Sequence, residues 1–208
     1  MIALRDNSPA VVGPGIYPML YAFFDDRGVL RQDPFRRQVD AALGTQAAGV
    51  AILGLGTEVS KLTFDERIEV LEVVAERIEG RKPLLATVYG DTITEQIEFS
   101  KRAIQSGASA LMLQPPSQKM DDAKLAGFFS EIISAVDCPV GIQNAPEFLG
   151  FGLSNQSLIA LANDHENFTI AKLECNAVNL ESVASELGDS VMLFNGRCGL
   201  ELPDNLRA

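Results

Sequence analysis

The chain has 208 residues, 47% of them hydrophobic and 22% charged, so it can bury a sizeable core and is not a disordered tail. Its net charge of -11 argues against a nucleic-acid or anionic membrane surface, which would need basic patches, and no apolar run reaches membrane-spanning length. The opening MIALRDNSPAVVGPG has no basic segment followed by an apolar core, so no signal peptide is expected. Cys138, Cys175 and Cys198 are odd in number, widely spaced and without a CxxC pair, which reads as reduced thiols in a cytoplasmic protein. The single histidine, His165, lies in the polar stretch NDHEN, and with no cysteine cluster no metal site is expected.

In chain order, GIYPMLY (15–21) predicts a strand. DPFRRQVDAALGTQA predicts a helix with an Asp cap and Pro at its first position, and Phe35, Val39, Ala42 and Leu43 at helical spacing. GVAILGLG (49–56) predicts a buried strand ending in glycines. TFDERIEVLEVVAERIEG opens on Thr63 and Glu66 at capping-box spacing and closes at Gly80. Five further strands are predicted at PLLATVYG (83–90), ASALMLQPP (108–116), CPVGIQNAP (138–146), FTIAKLE (168–174) and SVMLFNG (190–196). Between them DTITEQIEFSKRAIQSG, DDAKLAGFFSEIISAVD, SNQSLIALAND and NAVNLESVASELGD have helical spacing, and LELPDNLRA begins a last helix.

The strands are apolar on both faces, as parallel strands covered by helices must be. Strict alternation of strand and helix implies right-handed crossovers and a parallel α/β sheet. An open doubly wound sheet and an eight-stranded barrel both fit. The absence of GxGxxG after the first strand and of GxxxxGK[ST] removes support from the nucleotide-binding versions. Polar residues follow the strands at 54–58, Tyr89, 143–146, 172–174 and 195–197, and in a barrel these would meet at the C-terminal face. A (β/α)8 TIM barrel needs eight strands and about 250 residues. The expectation is therefore one barrel domain over 1–208, truncated after strand 7, with strand 8 and the following helices missing. Its open seam would invite association.

Lysine is rarely buried in a strand without a reason. Lys172, at the end of FTIAKLE, is either a solvated strand end or a lysine that does chemistry.

Four pieces in order suggest the second. GLGTE (54–58) followed by KLTFDER, then GASALMLQPP, IQNAP (142–146) and IAKLE (170–174), each end a successive strand. Together they resemble the dihydrodipicolinate synthase and N-acetylneuraminate lyase family, the Schiff-base aldolases and dehydratases of 2-keto acids. The likeness runs from Gly15 to about Ala208. It implies an eight-stranded barrel, a homotetramer, a small 2-keto acid substrate and no cofactor, because the imine is itself the electron sink. It also implies that Lys172 forms an imine with the substrate ketone. The chemistry is elementary: a neutral amine attacks the carbonyl, and the protonated imine then draws electrons from C3, so that a C3 proton or the C3–C4 bond is lost. Leu55, Gly56 and Thr57 would offer backbone N–H groups and one hydroxyl to the substrate carboxylate, although Leu55 and Gly56 stand where the family usually has two threonines. Asn195, Gly196 and Arg197 are further substrate-binding candidates, Arg197 either meeting a carboxylate or forming an ordinary ion pair.

Departures from the family pattern narrow the reading. Gln143 occupies the position of the proton-shuttling tyrosine; glutamine does no acid–base work near neutrality and would orient a substrate hydroxyl or a water. Ser117 and Gln118 replace the tyrosine pair, and the arginine that holds a second carboxylate falls near Phe148. These losses argue against dihydrodipicolinate synthesis. Glu174 supplies a replacement acid/base, because residues two apart on a strand face the same way. Its alternative role is to cap the next helix. The Lys-x-Glu pairing resembles the dehydratase branch, acting on 2-keto-3-deoxy sugar acids such as 2-keto-3-deoxyarabonate. The leading expectation is a lyase of that type, with an aldolase releasing pyruvate or a non-catalytic 2-keto acid binding barrel as alternatives.

Overall fold

The computed structural model describes residues 10–197, 199–200, 202–205 and 207. The elements are α1 (Gln32–Leu43), β1 (Val50–Ile52), α2 (Phe64–Ile78), β2 (Leu84–Val88), α3 (Ile93–Gln105), β3 (Ala110–Leu113), α4 (Asp122–Ser134), β4 (Val140–Asn144), α5 (Pro146–Leu149), α6 (Asn155–Asp164), β5 (Phe168–Leu173), α7 (Ala177–Leu187), β6 (Met192–Asn195) and α8 (Leu202–Asn205). The strands form one six-stranded sheet in sequence order, with parallel pairing of β1 with β2, β4 with β5 and β5 with β6. No described helix is long and apolar enough to cross a membrane.

The chain divides into two compact units, Met1–Thr87 with Lys101–Leu111, and Val88–Ser100 with Met112–Ala208. In the first, β1 and the part of β2 it contains are buried throughout, as strands covered on both faces must be. The predicted strand at 15–21 is a correction: it makes a single parallel bridge, Met19 to Ala51, so the described residues form six strands where seven were expected. Pro18 is the physical reason. It accepts from the Ala51 N–H at 3.0 Å but has no N–H to return to a ladder. The start of α1 is a second correction. The helix begins at Gln32 with Arg31 as an N-cap that makes no side-chain bond, so Asp33 and Pro34 lie inside its first turn rather than before it. Proline is tolerated there because a first-turn N–H has no helical acceptor anyway. The Thr63–Glu66 capping box forms as expected, and Arg77 of α2 holds Asp40 of α1 through two bonds of 2.7 Å.

In the second unit the core is built from Leu125, Phe129, Ile132 and Ile133 of α4, Val140 and Ile142 of β4, Leu158 of α6, and Phe168 and Ile170 of β5, all at most 2% exposed. Phe128 and Phe129 meet edge-to-face with ring centres 5.7 Å apart, a packing pair. Ser154 caps α6 as expected, and Asn176 caps α7. His165 ends α6, with Nε2 2.8 Å from the Ser130 hydroxyl.

Asp122, at the start of α4, ties that helix to α6. It accepts from the Ser154 N–H and from the hydroxyls of Ser154 and Ser157, each at 2.8 Å. Burial alone would raise its carboxyl, but these donors outweigh burial and hold it below the ordinary 3.8. A carboxyl depressed in the folded state adds stability above its unfolded value, and that stability is lost as pH falls through the folded value. Asp122→Ala should therefore cost about 1–2 kcal/mol at neutral pH, and the deficit should shrink below about pH 3.8, as read from urea melts at pH 7 and pH 3.

Candidate active site

The apolar run of strand β5 carries Lys172, whose Nζ lies 2.8 Å from Oε1 of Glu174. The two side chains are 20% and 6% exposed, so the pair is largely out of water. The strand ends at Leu173, but the Glu174 N–H still donates to the Asn144 carbonyl at 3.0 Å, which extends the ladder by one residue. That continuation keeps Lys172 and Glu174 on one side of the strand. Glu174 is thus not a solvated cap of the following helix; Asn176 performs that task.

Register brings in the neighbouring strand. Gln143 of β4 is opposite Lys172, and in a parallel pair such partners face the same way. Gln143 is 1% exposed. Its Nε2 donates to Glu174 Oε1, and its Oε1 accepts from Gln114 Nε2 at 2.7 Å. Gln114, itself 2% exposed, was not among the sequence candidates. Its backbone carbonyl accepts from Gln96 Nε2 at 3.0 Å, and Gln96 also donates to the Gly90 carbonyl at 2.9 Å. A sequence signal for Gln114 existed: it is the one polar residue between the apolar run of β3 and the two prolines.

Gly196 follows β6, and its N–H donates to the Leu173 carbonyl at 3.1 Å. A Cβ there would lie 2.5 Å from Glu174 Cγ and 2.7 Å from Oε1, so only glycine lets the carboxylate sit where it does. Asn195 pairs with Leu173, one residue out of phase with Lys172. Its Oδ1 accepts from the Arg197 N–H at 2.7 Å, and its Nδ2 is buried with no partner among the described residues. Arg197, 18% exposed at its side chain, has Nη1 3.8 Å from Glu147 of α5. Asn144 and Pro146 shape the turn after β4: Asn144 exchanges two bonds of 2.9 Å with Leu153, and Pro146 opens α5. Cys138 offers no nucleophile, since burial, aided by Asp137, pushes its thiol up to about 11. Cys198 lies outside the described residues.

The 54–58 loop belongs to the other unit. The chain reverses through two left-handed residues, Leu53 (φ 62) and Glu58 (φ 57), around a single 3-10 turn at Leu55–Thr57. Such conformations in residues with a Cβ cost of order 1–3 kcal/mol and persist only where the surroundings enforce them. Here Gly54 packs on Met19, where a Cβ would come within 2.3 Å of Cε. The Thr57 hydroxyl donates to the Leu20 carbonyl at 2.5 Å and is buried, so it anchors the loop. Glu58 and Lys61 form an exposed ion pair at 2.7 Å.

A model of the Dihydrodipicolinate synthetase family matches residues 13–205. A 4-hydroxy-tetrahydrodipicolinate synthase of Pelobacter propionicus is 29% identical over 171 residues, 81% of this chain and 59% of that protein. An L-2-keto-3-deoxyarabonate dehydratase of Azospirillum brasilense is 29% identical over 164 residues, 77% of this chain and 53% of that protein. The solved structure of YagE from Escherichia coli K12, in complex with pyruvate, superposes with a TM-score of 0.88 at 24% identity, covering 94% of this chain and 67% of that one. The fold is therefore that of these TIM-barrel relatives, of whose length the chain spans about 53% to 67%.

Gly196→Ala tests how firmly the carboxylate is seated. The added methyl must displace Glu174, at a cost of about 1–3 kcal/mol in stability by chemical denaturation. An unchanged midpoint would mean that Glu174 yields without resistance.

Proposed function

The chain belongs to the dihydrodipicolinate synthetase family, and on that premise we propose that it is a Schiff-base-forming lyase that dehydrates a 2-keto-3-deoxy sugar acid. The observation that carries the reading is the 2.8 Å contact of Lys172 with Glu174 in a largely dry setting. Lys172 is the imine nucleophile and Glu174 the acid/base. Gln143 orients Glu174 by the bond it donates, so its task is to hold the carboxylate. The likeness to the A. brasilense dehydratase supports the substrate class.

Proton accounting runs through Glu174. The carboxylate takes a proton from the Lys172 ammonium, leaving an amine that adds to the C2 ketone. Glu174 returns the proton to the carbinolamine hydroxyl, which leaves as water and yields the protonated imine. The carboxylate then removes a C3 proton; the C–H pair becomes a C2–C3 double bond, and the imine π pair moves to nitrogen. The same proton, delivered to the C4 hydroxyl, lets it depart as a second water while the nitrogen pair re-forms the C2–N double bond and the C2–C3 π pair becomes a C3–C4 double bond. One water then adds back at C2 and hydrolyses this unsaturated imine, which frees Lys172 and a 3,4-unsaturated 2-keto acid, for a net loss of one water. The first of these transfers spans the 2.8 Å between Lys172 Nζ and Glu174 Oε1.

Leu55, Gly56 and Thr57 keep the carboxylate-binding role that the family resemblance implies for their own loop, which Thr57 fixes through its bond to Leu20. Gly196 gives Glu174 room, and Asn195 with Arg197 supplies donors after β6. The reading also takes the six strands as part of a (β/α)8 barrel domain, which the superposition on YagE supports. Exposed Ile16, Tyr21, Phe23 and Val29 support association of copies.

Borohydride reduction in the presence of pyruvate should add one pyruvyl mass to the wild type and none to Lys172→Ala, by intact-mass analysis. Glu174→Gln should form the adduct more slowly, with solvent carrying the protons, but to the same final extent, and should lose dehydration of a 2-keto-3-deoxy pentonate by about 100-fold or more. A folded wild-type chain that never forms the adduct would overturn the Schiff-base reading. Carbon–carbon cleavage to pyruvate in place of dehydration would make the protein an aldolase, as YagE is named among its relatives.

A further inference from the structure

Three glutamines stand in line behind the Lys172–Glu174 pair, and all of them are buried to 2% exposure or less. Gln96 is on α3, Gln114 follows β3 and Gln143 is on β4. A side-chain amide has a donor end and an acceptor end, and nothing in its shape decides which way it lies. Gln143 could present either end to Glu174. If its Oε1 faced the carboxylate, two acceptors would meet in a buried space and one donor would be stranded.

We propose that Gln114 is a positioning residue that sets the direction of the Gln143 amide and through it holds Glu174 as the base toward C3. Gln114 Nε2 donates to Gln143 Oε1 at 2.7 Å, and that bond commits Gln143 Nε2 to the Glu174 side. Gln114 is itself fixed at its backbone: its N–H donates to the Val88 carbonyl at 2.9 Å and its carbonyl accepts from Gln96 at 3.0 Å. The donors therefore all run one way, from Gln114 through Gln143 to Oε1 of Glu174, where the Lys172 ammonium also arrives. A carboxylate oxygen that accepts two N–H bonds is held as an acceptor with a fixed direction, which suits removal of a proton from a bound imine.

The inference rests on the Schiff-base reading, and its consequences separate from it. Imine formation needs Lys172; exchange of the C3 protons of bound pyruvate for solvent deuterium needs a seated Glu174. Gln114→Met keeps the volume and removes the donor. It should leave the final extent of borohydride trapping of pyruvate within about twofold of wild type and slow C3 deuterium exchange about tenfold or more, through kcat rather than KM. Gln114→Glu presents an acceptor where the donor was, so it should turn Gln143 around and slow exchange more than Gln114→Met does. Wild type that traps and exchanges, with either folded variant exchanging at the wild-type rate, overturns the proposal while the Schiff-base reading stands. Wild type that traps nothing overturns both. Should neither variant fold, the wild-type glutamine side-chain amide spectrum decides. The proposal requires slowly exchanging NH2 signals from both Gln114 and Gln143, with the Gln143 pair shifted in Glu174→Gln. Fast exchange at either amide overturns it.

Discussion

A lysine and a glutamate two residues apart on a buried strand form the constraint around which the second unit is arranged. Removing both charges from water costs several kcal/mol per ion unless each finds a partner and further hydrogen bonds. Lys172 and Glu174 meet at 2.8 Å, and Glu174 takes a second donor from Gln143. Each neighbouring element then answers to that pair. Gln143 sits in register with Lys172, Gly196 has no side chain, and Gln114 satisfies the far end of Gln143. Replacing any of these by an apolar or larger residue would leave a buried polar atom unpaired or force the carboxylate aside.

On the proposed reading, the same pair stands in for the family's tyrosine. A glutamine at that position moves no protons. It holds the Glu174 carboxylate, which lies one strand away and within hydrogen-bond reach of both the amide and the lysine. The proposed acid/base is thereby on the lysine's own strand, β5, rather than on β4. Lysine and carboxylate then share one rigid element, where the geometry depends on strand alternation rather than on loop placement.

In the first unit, strain marks a comparable commitment. Leu53 and Glu58 hold left-handed conformations on either side of the short turn at Leu55–Thr57. Met19 presses on Gly54, and Leu20 takes the Thr57 hydroxyl. The loop is fixed by the segment that fails to become a full strand, so Pro18 and its neighbours, which interrupt the ladder, are also the loop's support.

The alternation of strand and helix, the caps at Thr63 and Ser154, and the pairing of Lys172 with Glu174 were legible in the sequence, because each depends on spacing within a few residues of one chain segment. The sequence misjudged the segment at 15–21 and the start of α1, where a proline's effect depends on which partners surround it. It passed over Gln114, because an amide's partners come from other strands and its direction from the partner beyond. That Gly196 makes room for a carboxylate, and that the Thr57 hydroxyl is spent on Leu20, came from packing between distant segments. Local periodicity fixes which face a side chain occupies; which atom it meets there is set by register between segments far apart in the chain.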